Sequence, residues 1–298
     1  MSKVKFKGVI PALVTPLNED ESINCTVLKD LIEDMISDGA DGFYIAGATG
    51  EGIALRPAER RILTEEAIRI TNHRKPCIVQ VASTDFGEAI ELAKHAERCG
   101  ADAISATPPL FFHYDEDDVY NYYKAFANAV HIPLMIYYNP AAGFTVNSKF
   151  AARTFEIDNV TSIKWTSQNY FQMMELKDFT HGEMNIINGC DETLLMGLNA
   201  GADGGIGTTY NFMLDLIKGV YDSYMAHKQD KACEYQEKVV KIVSALLQYS
   251  IIPATKVLME AMGYKVGNAM FPMKRYSEEE KRNIVSSLIA AGLNLKSR

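Results

Sequence analysis

Gly39-Ala40-Asp41-Gly42-Phe43-Tyr44-Ile45-Ala46 is the stretch that decides the fold, because the chain says it three times. Gly100-Ala101-Asp102-Ala103-Ile104-Ser105-Ala106 and Gly201-Ala202-Asp203-Gly204-Gly205-Ile206-Gly207 are the other copies. Apolar residues at helical spacing precede each one: Leu28, Leu31, Ile32, Met35 and Ile36, then Ala89, Leu92, Ala93 and Ala96, then Leu194, Leu195 and Leu198. A helix stopped by a glycine in a left-handed cap, followed by a short apolar strand, is a βα repeat.

Further strands are predicted outward from these copies at Gly8–Leu13, Cys77–Val81, Leu134–Tyr138, Val160–Lys164 and Asn185–Asn188, giving eight in all. Nearly all-apolar strands separated by helices form parallel sheets, and eight such units predict an α/β fold of the (β/α)8 TIM-barrel class. From about Leu216 onward there are only helical stripes (Val239, Val240, Ile242, Val243, Leu246, Leu247; then Val257, Leu258, Ala261, Met262), predicting a last barrel helix and a C-terminal helical appendage. The expected division is a catalytic barrel over 1–225 and a helical extension over 226–298. A doubly wound open sheet is the alternative; no G-x-G-x-x-G follows the first strand, which disfavours its dinucleotide-binding form.

With 298 residues, 47% hydrophobic and 23% charged, the chain reads as globular. A formal net charge of −8 disfavours nucleic acid and anionic membrane surfaces, both of which select basic patches, and leaves small molecules as the expected partners. Met1-Ser2-Lys3-Val4-Lys5-Phe6 is followed by no apolar core of signal-peptide length, and no apolar run approaches a membrane span, so a cytoplasmic protein is expected. Five scattered cysteines, Cys25, Cys77, Cys99, Cys190 and Cys233, show no C-x-x-C spacing and no histidine in a ligand pattern; reduced thiols and no metal are expected.

In such a barrel chemistry gathers at the carboxyl ends of the strands. Those positions hold Thr15, Gly47-Ala48-Thr49-Gly50-Glu51, Ser83-Thr84, Thr107, Tyr137-Tyr138-Asn139-Pro140, Lys164-Trp165-Thr166-Ser167, Gly189-Cys190-Asp191-Glu192 and Gly207-Thr208-Thr209-Tyr210. A lysine at the end of a β-branched strand, Val160-Thr161-Ser162-Ile163-Lys164, either snorkels to water or is a nucleophile for imine chemistry with a carbonyl. Imine formation needs a neutral amine, and an ordinary lysine, with a pKa of about 10.4, offers little of it at neutral pH. The glycines around Thr49 either turn backbone N–H groups toward an anion or make a tight turn. Tyr137 and Tyr138 are core aromatics or a proton-passing phenol, and Asp191 and Glu192 cap the helix near Thr193 or face the mouth.

Together these pieces resemble the N-acetylneuraminate lyase and dihydrodipicolinate synthase superfamily of pyruvate-dependent class I aldolases, across nearly the whole chain. Four motifs in order carry the resemblance: Gly47-Ala48-Thr49-Gly50-Glu51, Tyr137-Tyr138-Asn139-Pro140, Ile163-Lys164, and Gly201 through Asn211. The last, with Asn188-Gly189-Cys190-Asp191-Glu192, is similar to the N-acetylneuraminate lyase branch. The resemblance implies that Lys164 forms a covalent imine with pyruvate or a 2-keto acid, with no metal or organic cofactor. It implies that Tyr137 assists proton transfer, that Thr49 and the backbone at Ala48 hold the pyruvate carboxylate, and that Thr166, Gly189, Asp191, Glu192, Gly207 and Thr208 contact the tail of a sugar acid. It also implies a homotetramer, with Leu110-Phe111-Phe112-His113-Tyr114 suited to a subunit contact.

Departures from the pattern are specific. Ala48 stands where the family has a serine or threonine, and Phe111-Phe112 where a tyrosine reaches in from a neighbouring subunit, so both relay hydroxyls are absent. Tyr114 and Thr208 are candidates to rebuild the relay; otherwise the substrate supplies the proton path, or activity is low. Ala141-Ala142-Gly143 lacks the arginine that the synthase branch uses, which makes lysine biosynthesis the weaker assignment. The expected reaction is cleavage of a 2-keto-3-deoxy sugar acid to pyruvate and an aldehyde. Aldol cleavage or dehydration of another sugar acid, synthase-like condensation, and a catalytically impaired keto acid or sugar acid binding protein are the alternatives.

Overall fold

The computed structural model describes residues 5–296; Met1–Val4, part of the amino-terminal stretch read above for a leader, lie outside the described residues, as do 297–298. Eight parallel strands alternate with helices: β1 Gly8–Pro11, β2 Phe43–Ile45, β3 Cys77–Gln80, β4 Ala103–Ala106, β5 Leu134–Tyr138, β6 Val160–Trp165, β7 Asn185–Asn188 and β8 Gly204–Gly207. The sheet runs β1-β8-β7-β6-β5-β4-β3-β2. Its ends meet through a parallel bridge between Ala12 and Tyr44, where Leu13 N–H donates to the Tyr44 carbonyl at 3.0 Å. The predicted barrel is therefore what the chain forms.

The repeated phrase explains the bottom of the barrel. Gly39, Gly100 and Gly201 take φ of +93°, +88° and +98°, the left-handed conformation in which a Cβ is penalised. The aspartate that follows each glycine accepts a backbone N–H from a neighbouring strand start: Asp41 from Val9 and Asp102 from Cys77, both at 2.8 Å, and Asp203 from Ile186 at 3.1 Å. Each phrase thus ends a helix and satisfies an otherwise orphaned strand donor, leaving the opposite end of the barrel free for chemistry.

Alternation along the strands divides the apolar residues into two layers. Ile10, Ala12, Tyr44, Ile78, Ala103, Met135, Tyr137, Ile187 and Ile206 fill the interior with Phe6. Val9, Ile45, Val79, Ile104, Ile136, Ile163 and Ile186 belong to the larger core between sheet and helices. The helices are α1 Cys25–Ser37, α2 Pro57–Thr71, α3 Phe86–Cys99, α4 Glu116–Ala129, α5 Ser148–Thr154, α6 Tyr170–Phe179, α7 Leu194–Asn199 and α8 Tyr210–Met225. The appendage adds α9 Gln229–Leu246, α10 Ile251–Ala261 and α11 Glu278–Ala290.

Element ends differ from the expectation where the backbone turns. The second strand stops at Ile45 because Ala46 takes φ of +56°, which no strand accommodates. The last barrel helix begins at Tyr210, before the apolar stripe starting at Leu216, because its first turns carry polar and aromatic residues and a break at Met213. Among the described residues no single helix is long and apolar enough to cross a membrane.

Candidate active site

Val160, Thr161 and Ile163 favour an extended backbone, and the whole of β6 is buried. Its register against β5 contains one irregularity: Leu134 pairs with Val160, but Met135 pairs with Ser162. Thr161 is the extra residue of a bulge. Without it Tyr137 would stand opposite Ile163; with it, Tyr137 stands opposite Lys164. Both then face the barrel interior.

Lys164 is only 5% exposed, so it does not snorkel to water. Its Nζ lies 4.2 Å from the centre of the Tyr137 ring and 4.6 Å from that of Tyr44. Among the described residues it forms no ion pair. The Tyr137 and Tyr44 rings meet edge to face at 5.9 Å, and Tyr44 donates to Ser105 Oγ at 2.9 Å, with burial holding its phenol well above the usual range. Among the described residues, Tyr137 Oη receives only a long contact, from Asn139 Nδ2 at 3.5 Å. Tyr138 points the other way and packs on Trp165.

The loop after β2 brings Thr49 to the same end of the barrel. Thr49 Oγ1 lies 2.7 Å from Thr208 Oγ1, so one of these two hydroxyls donates to the other. Ala48, next to Thr49, is exposed and carries no hydroxyl. Tyr114, the other relay candidate, instead packs edge-on against Phe112. Phe111 and Phe112 are 90% and 69% exposed, with Phe111 at φ +79°.

Two glycines are needed here for close approach. A Cβ on Gly189 would stand 2.1 Å from Thr166 Oγ1, and one on Gly207 would stand 2.0 Å from Asp191 Oδ1. Among the described residues, Thr166 Oγ1 and Asn188 Oδ1 are buried without a hydrogen-bond partner. Glu192 Oε1 accepts from Gln168 Nε2 at 3.1 Å.

Asp191 does not cap its own helix. Its Oδ2 accepts from Thr209 N–H at 2.8 Å and Thr209 Oγ1 at 2.7 Å, tying the end of β7 to the end of β8. Burial pushes its carboxyl up to about 6; the Thr209 donors and the Lys164 charge oppose that rise, while Glu192 adds to it. Burial, with Glu192 and Asp191, likewise pushes the Cys190 thiol up to about 12.

A carboxyl raised from 3.8 to about 6 binds its proton better folded than unfolded, so it costs stability above about pH 6 and ceases to do so below about pH 4. Asp191→Asn removes this dependence while keeping an acceptor for Thr209 N–H. Relative to wild type the variant should gain roughly 2 kcal/mol between about pH 4.5 and about pH 7.5. Denaturant melts at the two pH values check this; a difference independent of pH would contradict the buried carboxylate.

Sequence reasoning missed Tyr44 and Lys256, and placed Thr209 at a strand end without giving it a role. Tyr44 was detectable by alternation between Phe43 and Ile45, and Lys256 as a charge inside the apolar run Ile251–Met259. It also found no histidine near a cysteine in a ligand pattern, yet His95 and Cys99 stand one turn apart on α3 and meet Glu65 of α2. His95 Nε2 lies 2.8 Å from Glu65 Oε1. Cys99 Sγ is 3.7 and 3.8 Å from the two ring nitrogens, and such near-equal distances put it over the ring rather than along either lone pair. This group sits on the outer helices, apart from the barrel mouth.

Comparison with known proteins supplies the family. Residues 5–291 match the dihydrodipicolinate synthetase family. The chain is 30% identical to an N-acetylneuraminate lyase of Rhizobium meliloti strain 1021, over 93% of this chain and 92% of that one. Among solved structures, Proteus mirabilis N-acetylneuraminate lyase superposes with a TM-score of 0.92 at 27% identity, covering 98% of this chain and 100% of the other. The chloride-inhibited dihydrodipicolinate synthase of Acinetobacter baumannii, complexed with pyruvate, gives 0.91 at 29%, covering 97% and 100%. With a barrel of this topology and a match spanning nearly its whole length, the chain belongs to the dihydrodipicolinate synthetase family.

Proposed function

We propose that this protein is a class I aldolase that cleaves a 2-keto-3-deoxy sugar acid, N-acetylneuraminate or a relative, into pyruvate and an aldehyde. The observation that carries the reading is the amine of Lys164, buried inside the barrel, paired with no carboxylate among the described residues, and set against Tyr137. An amine held inside the barrel and not engaged by a carboxylate among the described residues is available to add to a carbonyl carbon.

In the proposed reaction the Lys164 amine adds to the C2 carbonyl and water leaves, giving a protonated imine. The C4 hydroxyl loses its proton, the C3–C4 bond breaks, and its electron pair moves to the imine nitrogen as an aldehyde departs. Protonation of the resulting enamine at C3 and hydrolysis release pyruvate and restore the amine. Tyr137 passes these protons. Thr49 and the backbone at Ala48 hold the keto acid carboxylate, while Thr166, Gly189, Asp191, Glu192, Gly207 and Thr208 line the path of the polyhydroxy tail. No metal or organic cofactor enters, because the iminium is itself the electron sink.

The proposed unit is a barrel over 1–225 with an appendage over 226–298, in a cytoplasmic homotetramer serving carbohydrate metabolism. The exposed Phe111-Phe112 pair is suited to burial against another subunit. Incubating the protein with a panel of 2-keto sugar acids and measuring pyruvate tests the assignment. Release from N-acetylneuraminate or a related 2-keto-3-deoxy acid is expected. Binding of sugar acids without any release would favour the one competing reading that a specific feature supports: with Ala48 and Phe112 in place of relay hydroxyls, a binding protein that has lost turnover.

A further inference from the structure

We propose that Lys256, carried on the C-terminal appendage, is a positioning residue for the loop that holds the keto acid carboxylate. This rests on the reading of Thr49 given above and extends it to a part of the chain that touches no substrate. Loop 46–52 is an unfavourable backbone path: Ala46 and Glu51 both take left-handed conformations, at φ +56° and +58°, without being glycine. Such conformations persist only where surroundings over-determine them.

Local bonds hold one side of the loop. Thr15 Oγ1 donates to the Gly50 carbonyl at 2.6 Å, Glu51 N–H to Ala48 O at 3.0 Å, and Gly52 N–H to Gly47 O at 3.1 Å. The other side is held from outside the barrel. Glu51 turns its carboxylate away from the mouth into the junction with the appendage, where its side chain is fully buried. Oε2 accepts from Met270 N–H, and Oε1 faces Lys256 Nζ at 2.7 Å with no other partner among the described residues. Lys256, itself 2% exposed, completes the clamp by donating to Asn268 O at 3.0 Å.

A pair this dry gains little over an apolar pair of equal size, so its stability alone does not account for it. It does impose direction. Two charges meeting at one point fix where Glu51 sits, and Glu51 is two residues from the Thr49 hydroxyl. Losing the clamp lets the loop relax toward ordinary backbone angles and turns Thr49 off its line, weakening carboxylate binding while leaving Lys164 chemistry intact.

The test uses the full chain carrying both Lys256→Met and Glu51→Gln, which removes the two charges together and leaves neither stranded. Borohydride trapping at increasing pyruvate is measured beside thermal melting. The expected result is a folded protein whose half-saturating pyruvate rises tenfold or more while the fraction trapped at saturation matches wild type. A folded double variant with half-saturation within twofold of wild type overturns the clamp. Hydrogen exchange on unliganded wild type decides independently of any variant: the Glu51 and Gly52 amides should exchange as slowly as those of the strands, and fast exchange also overturns it. A wild type that traps no pyruvate instead overturns the aldolase reading itself, so the two failures are told apart.

Discussion

Lys164→Ala is expected to lower pyruvate release from the sugar acid by a factor on the order of 10⁴ or more, since the other buried lysine among the described residues, Lys256, is paired with Glu51. The same variant should not melt earlier than wild type. Lys164 forms no ion pair among the described residues and sits 5% exposed among aromatic rings, so truncation removes a buried polar group and breaks no bridge. Activity lost together with folding would not support the proposal; activity retained in a folded variant would end it. Steady-state pyruvate release and a thermal melt on one preparation distinguish these results.

Tyr137→Phe should lower kcat by roughly 10²- to 10⁴-fold, the range for a positioned acid–base group, and change half-saturation with pyruvate only a few-fold. The substitution isolates the hydroxyl. The Tyr137 ring keeps its edge-to-face contact with Tyr44 and its place 4.2 Å from Lys164 Nζ, and Oη gives up only a 3.5 Å contact with Asn139. Tyr138→Phe is the control. That phenol lies on the outer face of the same strand against Trp165, and its removal should alter turnover by less than about twofold. Equal effects from the two substitutions would contradict the assignment of proton transfer to Tyr137.

Legibility followed the range of the interactions. The barrel was readable because Gly39, Gly100 and Gly201 act locally: each ends its own helix, and the apolar strand follows within a few residues. Lys164 was readable because a lysine closing a β-branched run is conspicuous whatever it pairs with. Strand alternation separated Tyr137 from Tyr138 only once the register was known, and the register depends on the bulge at Thr161, which nothing in the local composition announces. The partner of Asp191 lies on the next strand end at Thr209, and that of Glu51 lies far along the chain at Lys256. Both are contacts between elements, which a scan of local pattern does not reach. Phe111 shows the opposite case: its aromatic character was visible, but the left-handed backbone that lifts it to 90% exposure was not.

The central claim is that the nitrogen at position 164 condenses with a keto acid inside the barrel. Its most direct test is to incubate the wild-type protein with pyruvate, reduce with borohydride, digest, and map the modified residue by mass spectrometry. The account predicts a single adduct, with the mass of a reduced pyruvate imine, on the peptide containing Lys164. An adduct on another lysine, or none at saturating pyruvate, would contradict it.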